Sequence, residues 1–352
     1  MVSRFRLLLF PLSLIYGLVV WLRNQCFNNG WLKTKRFDVP IISIGNITVG
    51  GTGKTPHTEY LVRLLGLTYR VGIVSRGYLR ETKGVVIANG NSTSETIGDE
   101  PMQMKLKFPD IDIVVAEKRA EGIEKCLSLP SKPQMVLLDD AHQHRYVTPG
   151  LSIVLVDYYR PVWSDFYLPA GNLREGLSGL KRAQIVVITK CPANMQGEEA
   201  ESIAKKLKLS SSQRLFFTTL AYGVPYPLDK TRQKSFLVND GCAILAFTAI
   251  ANVLPFHAYL ANMAQQVVTI TLPDHHRFTE TDIKVLNQKF NAIGNHDKWI
   301  AVTEKDAVKL NEINYLPREV ISHIGIVPVE PRFLFNQENS FNSQILKYAG
   351  KS

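Results

Sequence analysis

The chain has 352 residues, 45% of them hydrophobic, and a formal net charge of +10. That length and apolar content allow a full core and two domains. The basic balance suits an anionic membrane surface or a phosphorylated substrate, whereas nucleic acid is not expected, because no Lys/Arg-rich run or aromatic–basic RNA-binding motif is present. Cys26, Cys126, Cys191 and Cys242 are widely spaced. They fit neither a disulfide framework nor a zinc site, and reduced thiols in a cytosolic compartment are the expectation.

Residues 1–30 differ from the rest. Arg4 and Arg6 precede an uncharged run from Leu7 to Leu22, and Arg23 closes it. The run is about 16 residues, short of the roughly 20 that span a bilayer. Trp21-Leu22-Arg23-Asn24-Gln25-Cys26 is a poor signal-peptide cleavage site, and Asn24-Gln25 does not give the small residues of a lipoprotein signal. A short spanning or interfacial helix is expected, with Trp21 and the arginines at headgroup level; a buried core helix is the competing reading.

Next comes an apolar run, Ile41–Ile44, leading into Gly45-Asn46-Ile47-Thr48-Val49-Gly50-Gly51-Thr52-Gly53-Lys54-Thr55-Pro56. Strand, glycine-rich loop and helix in that order form the context of a phosphate-binding loop. Glycines let backbone N–H groups turn onto phosphate oxygens, and the positive end of the following helix faces the same anion. Lys54 would reach the terminal phosphates, and the Thr55 hydroxyl would bind Mg²⁺. The usual motif has a glycine where this chain has Thr48.

Pro56–Leu65 reads as a helix with proline in its first turn. Tyr69–Ser75 reads as a strand running into Arg76-Gly77-Tyr78. Val85–Ala88 is a candidate short strand. Thr96–Pro101 is a polar turn opening a helix. Ile111–Ala116 is a strand, followed by a helix towards Cys126. Met135–Leu138, Ile153–Val156 and Ile185–Ile188 are buried-strand runs, the first ending in Asp139-Asp140. This alternation predicts a three-layer α/β fold: a mainly parallel sheet with helices on both faces. Ligands then sit at the carboxyl ends of the strands, so Gly50–Thr55, Ser75-Arg76, Asp139-Asp140 and Thr189-Lys190 should face one crevice. Pro225–Lys234 looks like a linker. A second α/β pattern follows: strands at 243–247, 267–271 and 300–302, and helices to about residue 265 and over 280–292. Ile324–Val329 is expected to return and pair with the linker.

Asp139 ends a hydrophobic strand downstream of the loop, the usual place for a carboxylate that holds Mg²⁺. Asp140 points to the other face. His142 and His144 alternate as zinc ligands can, but no further ligand pair stands out. Asp99-Glu100 at a helix start reads either as capping or as a base beside the metal, with His275 or His276 tuning it. Arg76, Arg119, Arg174 and Lys181 are candidates to grip a substrate phosphate.

Taken together, these motifs resemble the tetraacyldisaccharide 4′-kinases, a family whose phosphate loop also lacks the first glycine. Ser75-Arg76-Gly77-Tyr78, Gly98-Asp99-Glu100-Pro101, Asp139-Asp140 with Gln143-His144, Leu168-Pro169-Ala170-Gly171 with Arg174-Glu175, Asp274-His275 and Thr303-Glu304-Lys305-Asp306-Ala307-Val308-Lys309 follow in the family's order. One departure is Ala141-His142, where the family more often has glycine and an apolar residue. The resemblance implies ATP-dependent phosphorylation of the 4′-hydroxyl of an acylated disaccharide 1-phosphate lipid, at the cytoplasmic face of the bacterial inner membrane. It implies a P-loop core lobe over 31–224, a linker over 225–241, a smaller α/β lobe over 242–323, and a return strand and tail over 324–352. The two lobes would be joined by a two-stranded β linker, behind a membrane-associated helix over 1–30, in a monomer. It implies Asp99 as base paired with His275, and a phosphate cradle of Thr48, Val49, Gly50, Gly51, Thr52, Gly53, Lys54 and Thr55. Thr55, Glu100, Asp139 and Asp140 would surround Mg²⁺, and Arg76, Tyr78, Arg119, Asn172 and Arg174 would meet the substrate. A P-loop nucleotide switch or metallochaperone is the alternative. Thr189-Lys190-Cys191-Pro192 faintly resembles a guanine-reading motif, but Pro192 stands where that motif needs Asp.

Overall fold

The computed structural model describes residues 4–229, 236 and 241–350. In chain order the helices are α1 (Arg4–Leu7), α2 (Phe10–Asn28), α3 (Lys54–Gly66), α4 (Ser94–Ile97), α5 (Asp99–Lys107), α6 (Arg119–Leu127), α7 (Gly197–Leu207), α8 (Leu254–Ala261), α9 (Glu280–Ala292), α10 (Glu304–Glu312), α11 (Arg318–Ile321) and α12 (Glu338–Ala349). The strands are β1 (Ile41–Asn46), β2 (Val71–Ser75), β3 (Val86–Ile87), β4 (Asp112–Val115), β5 (Met135–Asp139), β6 (Leu151–Asp157), β7 (Ile185–Thr189), β8 (Arg214–Tyr222), β9 (Tyr226–Pro227), β10 (Ala243–Thr248), β11 (Gln266–Thr271), β12 (Lys298–Thr303), β13 (Ile324–Val327) and β14 (Val329–Phe333).

Nine strands form one sheet in the order β14-β8-β7-β6-β1-β5-β2-β4-β3. The interior pairings are parallel, and only the edge strands β3 and β14 run antiparallel. Alternate side chains serve opposite faces. Ile113, Ile153, Leu155 and Val187 pack against Val62 and Leu65 of α3, Met102 and Met104 of α5, and Phe341 and Ile345 of α12. Val154, Val186 and Ile188 meet Ile203 and Leu207 of α7, while Val114 and Leu138 meet Ile123 of α6. Burial on both faces explains why these strands read as unbroken apolar runs. Parallel strands end on one edge, so Asn46, Ser75, Asp139, Asp157 and Thr189 share it, with β1 at the reversal of strand order.

The second sheet has five strands in the order β11-β10-β12-β13-β9. Leu245, Phe247, Ile300 and Val302 pack on Ile283, Leu286 and Phe290 of α9; Ala246 and Ala301 pack on Phe256 and Leu260 of α8. Helix α10 belongs to both units: Ala307 and Leu310 enter this second core, while Val308 enters the first.

The returning segment divides its pairing. β13 takes β9 antiparallel onto the second sheet, and β14 takes β8 antiparallel onto the first. The expected return of Ile324–Val329 onto the linker is seen where Gly325 and Ile326 pair with Pro227 and Tyr226. Each two-stranded pairing forms the edge of a larger sheet, which gives each edge strand a partner for its unpaired backbone groups. The rest of the expected linker, apart from Phe236 and Gly241, lies outside the described residues beyond Asp229. The tail over 324–352 is also more than a return strand: Phe341, Ile345 and Ala349 of α12 sit in the first core.

Helix α2 lies on the loop over residues 165–175. Ser13 Oγ accepts the Ala170 N–H at 2.9 Å, Tyr16 donates to the Arg174 carbonyl at 3.1 Å, and Asn24 donates to Glu175 at 2.6 Å. Only Ser13, Gly17 and Phe27 are buried; Leu8, Leu14, Ile15, Leu18, Val19, Trp21 and Leu22 are exposed. The segment is thus not a core helix. Among the described residues no helix is long and apolar enough to cross a membrane.

Candidate active site

The glycine-rich loop runs from the end of β1 to the start of α3. Gly50 has φ +87° and Gly53 φ +82°, the left-handed region that a side chain resists. Gly53 sits at the cap of α3, whose first-turn N–H groups lack intrahelical acceptors and so are available to an anion. The loop is held from outside. Arg160 donates to the Val49 carbonyl at 3.1 Å and the Gly51 carbonyl at 2.8 Å, and Lys190 donates to Gly51 at 2.6 Å. Asp157, at the end of β6, pairs with Arg160 at 2.9 Å and Lys190 at 2.8 Å. These bonds fix the loop through its Val49 and Gly51 carbonyls. Inside, Asn46 donates to Thr52 Oγ1 at 3.0 Å, and Thr189 donates to the Thr52 carbonyl at 2.8 Å. The Val49 N–H donates to the Asn172 carbonyl at 2.8 Å, and buried Thr48 bridges Leu173. Thr48 therefore fills a packed position where a glycine would leave space. Burial pushes His57 down to about 4. The neutral ring spans the Gly53 carbonyl at 2.7 Å and Thr218 Oγ1 at 3.1 Å.

Beside the loop, Asp139 is 1% exposed and accepts from Ser75 Oγ at 3.2 Å and Thr58 Oγ1 at 3.4 Å. Burial first, then the charges of Glu100 and Asp140, raise its carboxyl above the usual range. Asp140 has φ +46°, which turns its side chain to Lys54 at 3.6 Å and Arg174 at 3.2 Å. Burial pushes Asp140 up, but Lys54, Arg174 and Arg119 outweigh it and hold the carboxyl low. The two aspartates thus have different partners, because the left-handed backbone of Asp140, just past the end of β5, redirects its side chain. Crowded carboxylates and hydroxyls next to the start of α3 form a hard-oxygen donor set. Among the described residues no three His, Cys, Asp or Glu side chains converge as a ready metal cluster. Oxygen donors of this kind suit Mg²⁺ rather than zinc, which prefers nitrogen and sulfur ligands. His142 and His144 are both pushed down to about 4, chiefly by burial. His142 Nε2 lies 3.0 Å from the Gly179 carbonyl, and His144 accepts the Arg119 N–H at 3.2 Å.

Asp99 opens α5, and His275 follows β11 in a loop of the second unit. The structure brings His275 Nδ1 to 3.2 Å from Asp99 Oδ2. His275 holds φ +60°, and Asp274 accepts its N–H at 3.1 Å. His276 turns away to Asp282 at 2.9 Å. Helix α5, which Asp99 opens, is tied to α3, the helix that starts at the loop, where Gln103 donates to Glu59 at 2.8 Å. Tyr78, largely exposed, presents its ring edge-on to His275 at 6.3 Å, and Arg76 beside it is exposed.

Arg119 is placed differently from the exposed candidates. It is buried, and its guanidinium donates to the carbonyls of Ala116, Asp139 and Asp140 at 2.8–3.4 Å. It braces the strand end that carries both aspartates. Asn172 donates to Asp165 at 3.0 Å and accepts from Arg6 at 3.3 Å, which ties it to the N-terminal segment. Sequence reasoning missed the clamp of Asp157 and Arg160 around the loop. Asp157 carried a signal, a carboxylate closing a buried strand just as Asp139 does. Arg160 carried none, because its carbonyl partners are more than 100 residues away.

A glycine loop closed by lysine at a helix start, a buried acidic strand end and a carboxylate–imidazole couple supplied across two units define a P-loop phosphotransferase. The family model described as tetraacyldisaccharide-1-P 4′-kinase matches residues 5–349. The chain belongs to that family. The tetraacyldisaccharide 4′-kinase of Bacteroides thetaiotaomicron is 44% identical, with 97% of this chain and 92% of that protein aligned. Its counterpart in Flavobacterium johnsoniae is 43% identical, with 97% of each chain aligned. A crystal structure described as the "apo" form of LpxK from Aquifex aeolicus in complex with ATP superposes with a TM-score of 0.76 at 27% identity, covering 98% of this chain and 99% of that one.

Proposed function

We propose that this protein transfers the terminal phosphoryl group of ATP to the 4′-hydroxyl of tetraacyldisaccharide 1-phosphate, giving lipid IVA. The observation that carries the reading is the contact of Asp99 with His275, on an α5 that Gln103 ties to the helix starting at the phosphate loop. A nucleotide switch needs the loop and an acidic strand end. It has no use for a base brought in from a second unit.

In this reading the loop from Thr48 to Thr55 cradles the triphosphate, and Lys54 neutralises its far end. Asp99 takes the proton of the 4′-hydroxyl as that oxygen attacks the terminal phosphorus and ADP leaves. His275 orients Asp99. Thr55, Glu100, Asp139 and Asp140 would hold Mg²⁺, which neutralises charge on the phosphate oxygens when bound. Arg119 fixes the two aspartates. Arg76, Tyr78, Asn172 and Arg174 face the lipid headgroup, where arginine suits a phosphate. The two sheet units act as lobes that meet around the reacting groups. The exposed apolar face of α2 rests in the interfacial layer of an anionic membrane, the cytoplasmic face of the inner membrane, so that a monomer meets its lipid without extracting it. The test is an assay with γ-labelled ATP, Mg²⁺ and tetraacyldisaccharide 1-phosphate in mixed micelles. Label in the lipid is expected; release of labelled phosphate with none in the lipid would favour the switch.

A further inference from the structure

The couple has more partners than Asp99 and His275. Helix α10 carries Lys305 and Lys309 four residues apart, on one face. Lys305 Nζ lies 2.9 Å from Asp274 Oδ1 and 3.3 Å from His275 Nε2. Lys309 Nζ lies 3.9 Å from Asp99 Oδ2 and donates to the His276 carbonyl at 3.0 Å. Both lysines are mostly shielded from solvent, at 24% and 7% exposure.

Hydrogen-bond chemistry fixes the imidazole between them. An ammonium has three donors and no lone pair, so Nε2 must be the acceptor of the Lys305 contact. A carboxylate is acceptor-only, so Nδ1 must carry the proton shared with Asp99. One form satisfies both contacts, the neutral ring protonated on Nδ1. The competing arrangement, Nε2–H towards Asp274, is disfavoured by distance: Asp274 Oδ2 stands 3.8 Å away, and Oδ1 is already shared by Lys305 and the His275 N–H.

We propose that Lys305 is a positioning residue for phosphoryl transfer, holding His275 as the neutral Nδ1–H tautomer aimed at Asp99. The proposal rests on the reading of Asp99 as the base. In that tautomer the ring N–H points at Asp99 Oδ2 and orients the carboxylate, while Nε2 is occupied by Lys305. The Nε2–H tautomer would set a ring lone pair against the carboxylate and release Asp99.

The placement of α10 makes the device precise. Thr303 caps the helix, and buried Asp306 accepts from Thr248 at 2.6 Å and from the Ala249 N–H at 3.0 Å, pinning the helix to β10. At the other end of α5, Glu304 pairs with Lys107. Helix α10 therefore meets α5 near both ends, and His275 and Lys305 come to Asp99 as one piece.

The test uses full-length protein labelled with ¹⁵N-histidine, with His275 assigned by comparison with His275→Ala. Long-range ¹H–¹⁵N spectra distinguish the two neutral tautomers and the imidazolium. The wild type should show His275 neutral and protonated on Nδ1. In Lys305→Met the ring should shift to the Nε2–H form or the imidazolium, with kcat down roughly 10- to 100-fold, within the range of general acid–base contributions, and KM for ATP unchanged. Lys305→Arg, which keeps a donor, should recover most of kcat. A wild-type ring protonated on Nε2, or a Lys305→Met protein with the wild-type nitrogen pattern, overturns the proposal. If the wild type binds ATP and gives no labelled lipid, the functional reading fails instead, and the spectra still decide the role of the lysine.

Discussion

Replacing Lys107 by methionine tests how the two units are joined. The Lys107 ammonium lies 2.6 Å from Glu59 and also pairs with Glu304. Glu59 is on α3, the helix that starts at the phosphate loop, and Glu304 opens α10 in the second unit. Two carboxylates share one ammonium. Glu59, 1% exposed, carries the imbalance: burial first, then Glu304, raise its carboxyl despite Lys107. Burial opposes the Lys107 charge, and the two glutamates outweigh it and raise the amine. The two shifts agree once the missing positive charge is counted. Removing one partner of a buried pair costs about 3–5 kcal/mol. The lower end applies here. Glu304 borders a cavity of about 280 Å³, lined also by Gln103, Tyr226 and Asn311, where water can replace part of the lost contact. Glu59 does not line that cavity. About 3 kcal/mol corresponds to a fall of roughly 4 °C in the unfolding midpoint for a chain of 352 residues.

The pH dependence gives the sharper check. A carboxyl raised in the folded state favours the protonated form. Its penalty is absent below the unfolded value and grows as pH rises through the folded value. Without Lys107 that penalty increases, so Lys107→Met should lose more at pH 8 than at pH 5. The Lys107 amine itself contributes evenly over this window, because a raised amine loses its stabilisation only at alkaline pH. Adding Glu59→Gln should recover part of the loss, since the amide keeps a bond to Gln103, now 2.8 Å from Glu59. Differential scanning calorimetry at both pH values measures this. A fall under about 1 °C at pH 8, well below the shift expected for a broken buried pair, would refute the reasoning, as would an equal fall at both pH values.

Asp99→Ala should cut kcat by roughly 10²–10⁴ with ATP affinity nearly unchanged, as expected of a general base; a kinetic assay beside equilibrium nucleotide binding reads both, and a wild-type kcat removes Asp99 from the mechanism. Gly50→Ala should weaken ATP binding, because the residue sits at φ +87° and a Cβ there would lie 2.6 Å from Arg160 Nη1; isothermal titration measures it, and an unchanged affinity would mean that the loop tolerates the side chain. Serine at Ile15, Leu18 and Leu22 should reduce co-sedimentation with anionic vesicles while leaving the thermal midpoint in place, since all three side chains are exposed; equal sedimentation would show that membrane contact lies elsewhere.

The sequence by itself determined the alternation of strands and helices, the loop from Gly50 to Thr55, and the carboxyl-end placement of Asp139 and Thr189. Those features are local, or follow from strand direction alone, so periodicity and a motif suffice to read them. It did not determine that α2 presents its apolar face outward, because a short apolar helix has one pattern whether buried or exposed. Nor did it show that β13 and β14 split between two sheets, since a strand run does not say which edge it will meet. The pairing of Asp99 with His275 was implied by the family resemblance, but the place of Lys305 beside it was decided by the tertiary structure. Asp99, His275 and Lys305 lie on three elements, and the lysine is one of 41 Lys and Arg residues in the chain. Only the seating of α10 against α5 gives that one ammonium an imidazole nitrogen to hold. Contact between distant residues is fixed by how the two cores pack, which no short window of sequence encodes.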